Sequence, residues 1–359
     1  MSQVKLGMLG LGRGATYAKA AALCKNAKIT AICDILPDKL SKTASQYGIT
    51  ATYTDFGEFL GSDIDAIVVA TPITLHADHC IKALEAGKHV LSEVTVAASL
   101  DECSRIADAV KKSGKKYMLA ENYCYIRPWM ILSNIVKQGL LGEIYYGESD
   151  YLMDFQLRAD FPNVSGWRKK VYFDHKGHPY ITHSLGPLCQ LFGEKIQSVS
   201  CMGAGSYPGF KADNTCVLLC RTEKGNLIRL RNSFISARPD NFTYYSVQGT
   251  KGCYEAPRVS GDIHRIHIRG MHKPNEWHDI NEFSEYLPDE WKMIPADKVS
   301  DGYDGGLPIL IERFAKCILE GEEGKVDIDI NDAVNWTATG FMSEASAENG
   351  GIPFNVPSL

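Results

Sequence analysis

Gly10-Leu11-Gly12-Arg13-Gly14-Ala15 reads G-x-G-x-x-A, and Asp34 follows it by roughly 20 residues. In that pattern Gly10 permits a tight turn and Gly12 lets backbone amides approach a pyrophosphate, while the small Ala15 allows close helix–strand packing. Together with Arg13 and Gly14 they form a candidate phosphate-binding loop. A helix N-terminus behind such a loop offers positive potential to phosphates. Asp34 is placed to accept hydrogen bonds from a ribose 2′-hydroxyl. It would repel a 2′-phosphate, and Ile35-Leu36-Pro37 bring no arginine to offset that, so NAD is expected over NADP. A second group, Thr71, Pro72, His76, Glu93, Glu121 and Asn122, lies at or just past the ends of short apolar runs.

Those runs explain why the residues should converge. Segments 4–9, 29–33, 66–70, 89–92 and 116–120 read as buried strands. Between them the pattern turns helical, at 16–23, at 77–86 closed by Gly87, and at 100–113 entered after Ser99 and ended by Gly114. Strands alternating with helices imply an α/β fold whose first part, 1–122, is a Rossmann-type doubly wound parallel sheet. Ligands on such sheets bind beyond the carboxyl ends of the strands, where the second group falls.

From 123 to 359 the texture changes. A helix at 129–138 is followed by alternating strands at 144–153, 196–202, 215–221, 227–233 and 242–248, then by helices at 307–321 and 330–347. This predicts an α+β domain with a large, mostly antiparallel sheet for substrate binding and oligomerisation. Segment 261–300 is aromatic and His-bearing without a period, and is expected as a long loop or hairpin over the sheet. An open antiparallel sheet buries its free face, so a homodimer or homotetramer is expected.

Composition removes several function classes. Lys+Arg 38 against Asp+Glu 43 leaves a formal charge of -5, without the basic run of a nucleic-acid binder. The denser spots at 111–116 and 168–170 read as solvated faces. Eleven cysteines without a C-x-x-C argue for reduced thiols and a cytoplasmic location. No stretch approaches the ~20 apolar residues that span a bilayer, and the opening apolar run is too short for a signal peptide. His175, His178 and His183 lie close in sequence, yet no carboxylate or cysteine completes a recognisable ligand set, so no metal is expected.

Ala70-Thr71-Pro72, His76 and Ala83-Leu84-Glu85-Ala86-Gly87-Lys88-His89-Val90-Leu91-Ser92-Glu93 resemble the Gfo/Idh/MocA oxidoreductase family. Most members follow that glutamate with Lys-Pro, whose lysine assists proton transfer from the oxidised hydroxyl. Here Val94-Thr95 follows. Glu93-Val94, Leu119-Ala120-Glu121-Asn122, Tyr151, Trp167-Arg168, Tyr180-Ile181-Thr182-His183-Ser184-Leu185-Gly186-Pro187 and Gln248-Gly249-Thr250-Lys251-Gly252 are most similar to a subset of it, the NAD-dependent glycosidases of glycoside hydrolase family 109. The resemblance runs to about residue 257 and weakens over 261–300. Gly186 stands where an Asp is common in the wider family.

The resemblance implies hydride removal from a ring carbon, elimination of the anomeric substituent, addition of water and return of the hydride. Oxidising the hydroxyl needs a base, which either Tyr180 or His183 can supply. Deprotonating the adjacent carbon needs a second, and Tyr151 is the candidate by position. Glu121 would orient a sugar hydroxyl or tune the tyrosines. Arg168 would hold substrate oxygens through its planar donor fork, with Trp167 packing or stacking and Tyr180 and His183 also lining the sugar. Glu93 follows a strand whose end should face the nicotinamide ribose. The expected activity is NAD-dependent oxidation of a ring hydroxyl of a small carbohydrate. Redox-neutral glycoside cleavage is the alternative, and a non-enzymatic dinucleotide-binding regulator the third reading.

Overall fold

The structure, a computed structural model, describes residues 3–157, 161, 163, 166–239, 243–298 and 304–358. They divide into two units, one of residues 1–126 with 289–334, the other of 127–288 with 335–358. The sequence reading set one boundary after residue 122. The chain instead returns to its first unit late, and the residues of that return show why.

In the first unit six parallel strands stand in the order Ala51–Tyr53, Ala27–Cys33, Val4–Leu9, Ala66–Val69, His89–Ser92, Tyr117–Leu119. This is the doubly wound topology, with the strand order reversing at Val4–Leu9. Ala66–Val69 is wholly buried, as a strand covered on both faces must be. The helix Leu100–Ser113 starts where Ser99 accepts a hydrogen bond from Glu102 N, while the Glu102 carboxylate accepts from Ala98 N. The returning helix Leu307–Leu319 packs against Gly14–Ala21 and buries Leu307, Ile311 and Phe314. Each such side chain stabilises by about 1.5–3 kcal/mol. Glu312, 3% exposed, accepts from Lys25 N, Asn26 N and Asn26 Nδ2. A buried carboxylate keeps its place only when so satisfied.

In the second unit nine strands run in the order His278–Asp279, Arg265–Ile268, Gly252–Glu255, Thr243–Gly249, Ile144–Leu152, Leu227–Ser233, Asp213–Thr222, Ile196–Ser206, Phe354–Asn355. The pairings are antiparallel except that of Ile144–Leu152 with Leu227–Ser233. On Ile144–Leu152 the alternation of side chains assigns two jobs. Gly147 lies against Leu188 and Phe192 of the helix Thr182–Phe192, and Tyr151 shares that face. Asp150 turns to the other, where Arg229 and Arg231 pair with it. Segment 261–298, expected as a long loop or hairpin over the sheet, forms a hairpin that joins the sheet instead of lying over it. Arg265–Ile268 and His278–Asp279 lengthen the sheet edge, and the turns of Ile280–Tyr286 pack on the helix Arg127–Lys137. Val299 and Ser300 lie outside the described residues. The eleven cysteines are all free, and among the described residues no helix is long and apolar enough to cross a membrane.

Candidate active site

The glycine loop leaves the first strand at Gly10, whose φ is +87°. A Cβ there would stand 2.8 Å from the Ala70 carbonyl oxygen, so the turn admits only glycine. Gly12 is exposed, and a Cβ on it would have only Lys39 Nζ nearby, at 3.8 Å. The tight helix–strand approach falls on Gly14, where a Cβ would stand 2.9 Å from Met8, and Ala15 is only half-buried. Helix Gly14–Ala21 has no side-chain cap from Arg13 and no acidic residue in its first turn. Its leading N–H groups suit an anion. Asp34 is buried beside the loop; Oδ2 accepts from Leu11 N at 2.7 Å and Oδ1 from Leu36 N at 2.9 Å. Each oxygen still carries a second lone pair.

The strand-end residues are tied into their surroundings. Thr71 Oγ1 lies 2.9 Å from His79 Nδ1. His76 is fully buried, with Nδ1 2.8 Å from Thr95 O and Nε2 3.0 Å from Thr71 O, so it staples the loop of Thr71 and Pro72 to that of Thr95. Burial pulls its pKa down, against the two carbonyls that favour its protonation. Glu93 Oε1 accepts from Arg13 Nε and from Tyr17 Oη, both at 2.9 Å, and Arg13 Nη1 reaches Asp304 Oδ1 at 2.7 Å. Where the sequence lacks a lysine after Glu93, the cation beside that glutamate is Arg13. Glu121 is fully buried and caps Tyr123 N at 3.3 Å, with Asn122 buried next to it.

In the second unit Tyr151, Tyr180 and His183 come together. Tyr180 Oη lies 3.0 Å from His183 Nε2. The Tyr151 ring centroid is 5.2 Å from that of His183 and 6.4 Å from that of Tyr180. Tyr172 stands edge-on to Tyr180 at 5.1 Å and meets Trp167 at 5.9 Å, and the Arg168 guanidinium lies 4.5 Å from the Trp167 centroid. Sequence reasoning did not single out Tyr172. It sits on a π-helical turn, Lys169–Phe173, a local irregularity frequent at functional sites that no composition signal announces. A phenol hydrogen-bonded to an imidazole can pass its proton to the ring nitrogen as the phenol takes another, the arrangement general-base catalysis requires.

The three neighbouring histidines have different partners. His175 Nδ1 is 2.9 Å from Glu344 Oε1, and that carboxylate raises its pKa. His178 is fully buried and stacked on Phe234 at 4.2 Å, where burial pushes its pKa down to about 3. A histidine neutral in the fold but titrating near about 6.5 when unfolded stabilises fully above that pH. The contribution is lost as pH falls toward about 3, at about 1.4 kcal/mol per pH unit. The His178→Asn variant should therefore show a shallower acid limb in urea unfolding between neutral pH and about pH 4.5. An unchanged slope would remove His178 as its cause.

Residues 4–121 match the model of the Gfo/Idh/MocA oxidoreductase family, NAD-binding Rossmann fold. Residues 129–255 match the Gfo/Idh/MocA C-terminal domain, and 208–359 the glycosyl hydrolase 109 C-terminal domain. A glycosyl hydrolase family 109 protein of Shewanella pealeana is 28% identical, covering 100% of this chain and 86% of its own. An alpha-N-acetylgalactosaminidase of Shewanella oneidensis is 26% identical over 100% and 85%. Among solved structures, levoglucosan dehydrogenase with NADH and levoglucosan superposes with a TM-score of 0.85 at 22% identity, covering 100% of both chains. The WlbA dehydrogenase of Bordetella pertussis with NADH and UDP-GlcNAcA gives 0.78 at 20%, covering 99% and 98%. At those identities the two structures speak for the fold.

Proposed function

Because the chain belongs to the Gfo/Idh/MocA oxidoreductases and carries their NAD-binding domain, we propose that it removes hydride from a ring carbon of a glycoside and carries the reaction on to redox-neutral cleavage. Three features of the loop fit a dinucleotide. The open side of Gly12 and the N-terminus of Gly14–Ala21 suit the pyrophosphate. Asp34 suits the adenosine ribose, with Ile35 and Leu36, 82% and 47% exposed beside it, as an apolar seat for a base. Thr71, Pro72, Glu93 and Asn122 would hold the nicotinamide end, with His76 fixing the loops. NAD, when bound, supplies a hydride acceptor that can give the hydride back.

The observation that carries the reading is the 3.0 Å contact of Tyr180 Oη with His183 Nε2, with Tyr151 beside it. Tyr180 takes the proton of the ring hydroxyl as His183 Nε2 receives the phenol proton. The ketone so formed acidifies the neighbouring C–H. Tyr151, as its phenolate, takes that proton while the C–H electron pair expels the anomeric substituent, and addition of water and return of the hydride would complete a redox-neutral cleavage. Arg168 and Trp167 grip and stack the sugar. The glycosyl hydrolase 109 match over 208–359 favours cleavage over net oxidation. The two readings share their first step. A panel of aryl glycosides, headed by an α-N-acetylgalactosaminide, separates them. Aglycone release dependent on NAD without NADH accumulation is expected. NADH accumulation alone would leave a dehydrogenase, and inertness towards the whole panel would overturn the glycosidase.

The free thiols fit a cytoplasmic setting. On the sheet face away from Thr182–Phe192, Met202, Val217, Leu219 and Leu227 are exposed, 70%, 40%, 47% and 38%. Such a face suits burial against another copy in a homodimer or homotetramer. A native mass equal to one chain would remove that part of the proposal.

A further inference from the structure

His183 is the second residue of the helix Thr182–Phe192, and Pro187 stands four places after it. In an α-helix the carbonyl of residue i is met by the N–H of residue i+4. Proline has no N–H, and its ring crowds that same carbonyl. The helix therefore cannot serve His183 O in the usual way.

Tyr245 does so. Its hydroxyl donates to His183 O at 2.5 Å. Tyr245 is 3% exposed, with its ring held 4.9 Å from that of Trp129. It belongs to the strand Thr243–Gly249, which pairs with Ile144–Leu152 in a register that puts Thr243 opposite Tyr151. One strand pair thus fixes Tyr151 directly and the backbone of His183 through a phenol.

The geometry points to Tyr245 as a positioning residue for the Tyr180–His183 pair. Its hydroxyl replaces the N–H that Pro187 lacks and so sets the height of the His183 backbone, and with it the reach of Nε2 to Tyr180 Oη. Tyr245 acts through His183 and needs no contact with substrate. The assignment rests on reading that pair as the proton-transfer group.

Tyr245→Phe keeps the ring and deletes the donor, and Pro187→Ala returns a backbone N–H to the same carbonyl. Tyr245→Phe is expected to lower kcat by about tenfold with KM little changed, as a small misplacement of a reacting group does. It should also move the titration midpoint of His183, read by NMR on histidine-labelled protein without substrate. In the double variant, Pro187→Ala should recover most of both losses. A Tyr245→Phe protein with an unmoved His183 titration would overturn the assignment, and so would a folded double variant that recovers neither readout. Should Tyr245→Phe fail to fold, the double variant decides: a refolded chain with the original His183 titration supports the role, and an unfolded one overturns it. Because the titration is read without substrate, it stands apart from the outcome of the glycoside panel.

Discussion

Alanine in place of His183 is expected to slow turnover by at least about a hundredfold, the usual worth of a positioned acid or base. Phenylalanine at Tyr151 should cost a similar factor. The two losses should differ in kind. His183→Ala leaves Tyr180 without the 3.0 Å partner that takes its proton, so removal of hydride from the sugar slows and the isotope effect of a deuterated ring carbon grows. Tyr151→Phe keeps that pair and the ring packing at 5.2 Å. Hydride removal should then persist while cleavage stops, visible on mixing with substrate as enzyme-bound NADH absorbance without aglycone release and without solvent deuterium entering at the carbon beside the ketone. Near-wild-type turnover in both variants would strike the cluster from the mechanism.

Gly10→Ala is expected to abolish retention of NAD and to destabilise the chain by about 1–3 kcal/mol, the cost of holding a side chain in a strained backbone region. Two constraints coincide there, a φ of +87° and a backbone carbonyl oxygen 2.8 Å from the new methyl. Neither can relax without moving Ala70. Gly14→Ala is the control. Its methyl would press on Cγ and Sδ of the Met8 side chain, 2.9 Å away, a contact that side-chain rotation relaxes more readily than a backbone carbonyl does. Calorimetric titration with NAD and urea unfolding should therefore separate the two substitutions sharply. Equal, mild effects would show that the turn at Gly10 is more pliant than its geometry indicates.

The parallel sheet could be read from the sequence because its signals are local. Five of its six strands are short apolar runs, and Gly10 and Gly12 announce the loop by type and spacing; the edge strand Ala51–Tyr53, three residues long and only half-buried, shows no such run. Tyr151, Tyr180 and His183 were reached through resemblance, since a tyrosine on a strand looks the same whether it packs or reacts. What stayed hidden was long-range. Nothing around Leu307 says that its helix returns to pack on Gly14–Ala21, and nothing around Tyr245 says that its hydroxyl meets a carbonyl 62 residues away. The helix Thr182–Phe192 was itself not among the expected elements, because Gly186 and Pro187 interrupt its pattern. The edge strands Arg265–Ile268 and His278–Asp279 were missed because four and two residues are too few to show a period.

The strand that bears Tyr151 has as neighbours Leu227–Ser233 and Thr243–Gly249, both made later in the chain. During synthesis Tyr151, Tyr180 and His183 all leave the ribosome before either neighbour exists. The strand between Ile144 and Leu152 must then wait with both edges open for about 75 residues, until Leu227 is made, some four to fifteen seconds at ordinary elongation rates. The cluster of Tyr151, Tyr180 and His183 thus gains its framework well after its own residues are made, and a nascent chain halted before Leu227 would hold them without the scaffold that aligns them.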